Sequence, residues 1–230
     1  MTDFFAESVF FGAVISILAY WIGTAIQKRW KYAIFNPMLI AIVIIILVLM
    51  VMGIDYDVYN KGAEYITYFL TPATVCFAIP LYEQYERLKK NWRAILTGTL
   101  AGVLSSLASI LLLSALFCLS HEQYVSLLPK SITTAIGIAL SGELGGIPTL
   151  TVAAIMVTGI FGNICARSLC RLFCIKEPAA VGLAIGAAAH AIGTVRAREI
   201  GEEEGAISSL SIVVCGLLTV LKASVFAGLY

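Results

Sequence analysis

Three ionisable side chains stand where the surrounding sequence is otherwise apolar, and each has a distinct chemistry. Lys130 lies in Leu128-Pro129-Lys130-Ser131-Ile132-Thr133-Thr134. Pro129 suits a first helical turn, and Ser131, Thr133 and Thr134 place hydroxyls around backbone N–H groups that have no intrahelical partner. A cation, free amides and a positive helix end converging in this way describe an anion site. The competing reading is an interfacial lysine that snorkels beside ordinary capping hydroxyls. His190 sits in an Ala- and Gly-rich segment where Gly186, His190 and Thr194 share one face of a continuous helix. Its imidazole takes up and releases a proton near neutral pH, as proton-coupled carriage requires, and a satisfied interhelical hydrogen bond is its bland alternative. Arg196 follows Thr194 closely and is suited either to clamp a carboxylate bidentately or to pair with Glu202, Glu203 and Glu204 at an interface. Asn36, opening an apolar segment, and Thr74, close to Pro72, are lesser candidates for polar lining.

Enzyme chemistry is not expected. His121-Glu122-Gln123-Tyr124-Val125 begins like a zinc-protease HExxH but has Val125 where the second ligand must stand. The chain has no nucleotide loop, serine elbow or paired intramembrane aspartates, and no cofactor or metal is expected. Six cysteines, Cys76, Cys118, Cys165, Cys170, Cys174 and Cys215, show no metal-ligand spacing and read as reduced packing residues. The short basic runs give no nucleic-acid surface.

The elements that must position these residues are membrane spans. Only 29 of 230 residues are charged and 60% are apolar, far from the soluble balance of about a quarter charged. Uncharged runs of 17 to 23 residues occupy 8–27, 32–54, 65–82, 144–166, 178–195 and 205–221. Each is long enough to cross roughly 30 Å of hydrocarbon as a helix. A run of 28 at 94–121 exceeds one crossing, and a run of 12 at 131–142 cannot cross alone. The reading is an all-α polytopic membrane protein of about seven transmembrane helices plus a re-entrant element over 119–143. The N-terminus, with Asp3 and Glu7, lacks a basic signal leader, so the first apolar run is expected to remain as a span.

Ten of the fifteen Lys and Arg fall in three loops, around Lys28 to Lys31, Arg87 to Arg93 and Arg167 to Lys176. The positive-inside rule makes these loops cytoplasmic. Threading then puts the N-terminus outside and, with 178–195 crossing outward and 205–226 inward, the C-terminus in the cytoplasm. Trp21, Trp30 and Trp92 fall at the cytoplasmic interface. Two stretches, 73–113 and 187–223, read alike in opposite orientation, with Pro72 and Pro80 breaking one and Gly182, Gly186 and Gly193 the other. This suggests inverted repeats with broken helices, as approximate halves 1–118 and 119–230 of a single membrane domain. The pair Gly98 and Gly102 reads as close helix packing.

Several motifs together resemble the LrgB/CidB family of bacterial membrane proteins over nearly the whole chain: Asn36-Pro37-Met38-Leu39, Pro72-Ala73, Pro80-Leu81-Tyr82, Leu128 to Thr134, Gly145-Gly146-Ile147-Pro148 and His190 to Ala197. A small departure is Ala135, where family members often carry Pro. The resemblance implies a multi-pass protein of the bacterial cytoplasmic membrane, with a fold similar to cation/proton antiporters and anion transporters and, from that class, a homodimer. It implies two roles. One is a proton-coupled carrier of small monocarboxylates of the pyruvate, glycolate or glycerate class. The other is an antiholin- or holin-like modulator of murein hydrolase activity and cell lysis, acting with a small LrgA/CidA-type membrane partner.

Overall fold

The computed structural model describes residue 8 and residues 10–30, 35–76, 78–83 and 85–230. The side chains at 70, 73, 74, 78, 80, 81, 87, 88, 90 and 91 lie outside the description. Every regular element among the described residues is a helix, and the chain divides into two compact units, Met1–Val75 and Cys76–Tyr230.

The first unit holds α1 (Phe11–Trp30), α2 (Pro37–Met52), α3 (Tyr56–Thr67) and α4 (Leu70–Val75). Helix α1 packs against α3 with its first half and α2 with its second. A Cβ at Gly12 would fall 2.5 Å from the Ala63 nitrogen, and one at Gly23 would fall 2.6 Å from the Pro37 oxygen. Such backbone proximity is how helices associate where lipid removes the hydrophobic drive. Helix α2 starts on Asn36, whose Oδ1 accepts from Met38 N at 2.9 Å, and stops at Gly53 in the left-handed conformation (φ 62°). Its 16 residues make an apolar helix shorter than those long enough to cross a membrane.

The second unit holds α5 (Ala78–Glu83), α6 (Tyr85–Phe117), α7 (His121–Leu127), α8 (Thr134–Glu143), α9 (Pro148–Leu172), α10 (Pro178–Ile200) and α11 (Glu202–Ala227). The expected single span over 65–82 is instead divided among α3, α4 and α5, with Pro72 inside α4 and Pro80 inside α5. Each proline removes a backbone donor and disfavours helix in the residue before it.

Helix α6 leads from the end of the unit that carries Lys89 and Arg93, here the basic end, to a far end at Phe117. Helices α7 and α8 then form a hairpin. Their arms meet at Ser126 and Ser141, both bound to Thr151, whose Oγ1 lies 2.9 Å from the Ser126 carbonyl and 2.7 Å from Ser141 Oγ. The tip is the non-helical turn Leu128–Thr133, which matches the re-entrant element expected over 119–143. Helix α9 returns to the basic end with Arg167 and Arg171.

Helix α10 differs from expectation. It is 23 residues long and apolar enough to cross, but it breaks at Ala189 and His190, where φ and ψ leave the helical region. The two arms then fold back on each other. A Cβ at Gly193 would stand 3.2 Å from the Ile185 carbonyl oxygen, although eight residues of straight helix separate such groups by about 12 Å. Likewise a Cβ at Gly182, near the start of α10, would stand 3.0 Å from Glu204 Cα at the start of α11. The segment 178–195 is therefore a second hairpin entering from the basic end, and the expected crossing is corrected. The face shared by Gly186, His190 and Thr194 is corrected with it, because no continuous helix runs through them.

Helix α11 then runs parallel to α6. At the basic end Ile95, Ile207 and Leu210 pack together. At the far end Tyr124 Oη donates to the Phe226 carbonyl (2.7 Å) and Tyr230 Oη to the Leu119 carbonyl (2.7 Å). The unit thus contains two successive hairpin-plus-span elements, 121–172 and 178–227, that start from opposite ends.

Candidate functional site

The hairpin tips deliver the chemistry. At the first tip, Lys130 Nζ donates to Ser106 Oγ (3.1 Å) and to Ser131 Oγ (3.3 Å), and the two hydroxyls are 3.2 Å apart. Ser106 lies near the middle of the span Trp92–Phe117, about 16 Å of helix from Phe117 and 21 Å from Trp92. The ammonium is therefore held at mid-depth rather than at an interface, and its position argues against the snorkelling alternative. Among the described residues the one salt bridge is Arg196 with Glu199, so no carboxylate lies within ion-pair reach of Lys130.

Lys130 and Ser131 face a cavity of about 650 Å³ walled by α6, α9 and the first arm of α10. Its lining is mostly small and apolar, with Gly98, Gly102 and Ala187 close around Ser106, and Thr158 supplies one further hydroxyl. The arrangement is a half-buried cation with two hydroxyls at the end of an apolar chamber. It suits an anion with a small, weakly polar body, because an unpaired charge at this depth is costly and a bound anion offsets that cost.

Two more predicted residues belong to this tip but not to the cavity lining. Thr133 caps α8 without a side-chain cap bond, and its buried Oγ1 has no hydrogen-bond partner. Thr134 is the first residue of α8, and the first N–H groups of a helix have no intrahelical acceptor.

His190 and Thr194 form a separate buried group. His190 Nε2 lies 3.1 Å from the Ile155 carbonyl, so that nitrogen carries the proton. Thr194 Oγ1 lies 3.0 Å from the His190 carbonyl and 2.7 Å from Ser208 Oγ. His190 adopts φ 41°, a conformation rare for a side-chain-bearing residue. Its ring fits only because residue 159 is glycine: a Cβ there would stand 2.7 Å from His190 Cε1. The freed backbone at the break is met by Asn163 Nδ2, which donates to the Ile192 carbonyl at 2.8 Å. The two tips converge on one residue. Ile155 reaches Gly137 beside the first tip with its side chain, and accepts from His190 at the second with its carbonyl.

Arg196 is paired with Glu199 on its own arm rather than with Glu202, Glu203 or Glu204, and its buried Nε has no partner. It does not line the cavity. Asn36 is occupied as the cap of α2 in the first unit. The side chain of Thr74 lies outside the described residues. Sequence reasoning missed Ser106, Thr158, Gly159 and Asn163. The four-residue spacing of Gly98, Gly102 and Ser106 was the available signal, and it read as packing alone.

The sequence profile of the LrgB-like family matches residues 16–229. This chain belongs to the LrgB-like family. It is 39% identical over 223 residues to the antiholin-like protein LrgB of Bacillus subtilis strain 168, covering 96% of each chain. It is 37% identical over 218 residues to proteins of the same name from Bacillus mycoides strain KBAB4 and Bacillus cereus strain B4264, covering 94% of this chain and 95% of theirs. No solved structure matches the chain. Family membership and the apolar helices together make it a multi-pass bacterial membrane protein.

Proposed function

We propose that this LrgB-family protein is an antiholin-like modulator of murein hydrolase activity and cell lysis, and that its molecular activity is passage of a small monocarboxylate through the second unit, coupled to a proton. The relatives' names favour the antiholin-like role. The observation that carries the activity is Lys130: an ammonium at mid-span, bonded to two hydroxyls, without a carboxylate in reach, facing a chamber. The substrate class is pyruvate, glycolate or glycerate, with Lys130, Ser131 and Ser106 on the carboxylate and the α8 start, with Thr133 and Thr134, adding its positive end. His190 carries the proton and acts through the Ile155 carbonyl that joins the tips. Arg196 and Thr194, on the second arm of the α10 hairpin, support the path from positions away from the anion. A homodimer and a small LrgA/CidA-type membrane partner complete the assembly in the cytoplasmic membrane.

The two roles connect because carboxylate efflux changes membrane energisation and cytoplasmic pH, to which autolysis responds. In cells lacking the native protein, wild type should restore both labelled pyruvate uptake and the normal autolysis rate, and Lys130→Ala should restore neither. Full restoration of autolysis by Lys130→Ala without uptake would separate the roles and leave the antiholin-like reading alone. Leakage of a bulky dye through vesicles holding the protein and its small partner would replace the carrier with a pore.

A further inference from the structure

We infer that Lys130 is the blind end of a vestibule entered from the basic, cytoplasmic end of the second unit, with the first arm of the α10 hairpin as one of its walls. This rests on the anion-site reading above and adds the direction of access. The cavity lining is one-sided. On α9 it runs from Val157 to Leu169, close to the basic end, and on α10 from Ala180 to Ala188, just short of the tip. On α6 it begins at Gly98 and stops at Ser106. No lining residue lies on the far-end side of Ser106, Lys130 and Val157.

That far-end side is sealed. Tyr124, Val125, Leu128 and Ile132 are fully buried and pack with Leu107 and Ile110 of α6. Behind them Thr151 Oγ1 bonds to the Ser126 carbonyl and to Ser141 Oγ, and Tyr124 and Tyr230 clasp the ends of α6 and α11. The first hairpin is therefore the closed barrier. The second forms one wall of the open side, and it is joined to the rest of the site through a strained break at His190 rather than a continuous helix.

Native thiols mark the two ends: Cys174 is exposed at the basic end and Cys118 at the far end. With Cys76 and Cys165 replaced by Ser, Ala184→Cys should react with a membrane-impermeant maleimide in the vesicle orientation that labels Cys174, not in the one that labels Cys118. Thr158→Cys on the facing wall supplies the same readout if Ala184→Cys does not fold. Pyruvate should slow the labelling, and Lys130→Ala should abolish that protection while leaving the sidedness intact. Labelling together with Cys118, or in neither orientation, overturns the vestibule. Labelling on the Cys174 side that pyruvate never slows leaves the vestibule standing and removes the monocarboxylate reading.

Discussion

Lys130 is held where a charge is most costly. Placing it at the bilayer centre costs about 3 kcal/mol on insertion scales, and hydrogen bonds to a charged group return about 1.5–3 kcal/mol each. With Ser106 and Ser131 as its hydrogen-bond partners among the described residues, the group is tolerated without being a source of stability. Lys130→Met is therefore expected to leave thermal stability in detergent unchanged or raised while uptake is lost; a fall in melting temperature that explains the lost uptake would make the residue structural. Gly159 is the reverse case. Gly159→Ala should cost about 1–3 kcal/mol through its overlap with the His190 ring. Gly142→Ala on α8, where a Cβ meets nothing within 4 Å, should gain about 1 kcal/mol. Thermal unfolding of both variants checks the contrast. Lys130, Ser131 and His190 were legible because an ionisable or hydroxyl side chain in an apolar run needs a reason. Ser106 was not, since a serine can bond the carbonyl one turn back and so looks self-sufficient in any span.

The two hairpins differ in how plainly the sequence announces them. The first has a 12-residue uncharged run, too short to cross, framed by Pro129 and the Gly145-Gly146-Ile147-Pro148 turn. The second has 18 uncharged residues, enough for a crossing, and its sharp turn is made by Ala189 and His190 rather than by a glycine. Length and breaker rules therefore point to a span, and the close packing of Gly193 on Ile185 across the turn, with Gly182 beside Glu204 at the start of α11, shows otherwise. The strained φ of His190 gives the element a signature of its own. His190→Gly loses the bond to the Ile155 carbonyl but relieves the backbone, whereas His190→Ala loses the bond and keeps the strain. The alanine variant should be less stable than the glycine variant by about 1–2 kcal/mol. Equal stabilities in denaturant titrations would show that the break carries no strain.

At the scale of the molecule, folding back α10 reverses the direction of α11. With the basic end taken as cytoplasmic by the positive-inside rule, Tyr230, which bonds to Leu119 at the far end, is expected outside. A C-terminal tag should be cleaved by protease added to intact spheroplasts; protection there, with cleavage only after lysis, would contradict the threading. Two hairpin-plus-span elements entering from opposite ends, with tips meeting at Ile155, form an inverted repeat within 121–227. Paired re-entrant tips at mid-depth are where secondary transporters hold substrate, and anion passage at Lys130 follows from that placement. Its most direct test is saturable uptake of labelled pyruvate into proteoliposomes containing this chain, compared with Lys130→Ala matched for folding. The wild type is expected to take up pyruvate and the variant none above empty liposomes; equal uptake by both would contradict anion passage at Lys130.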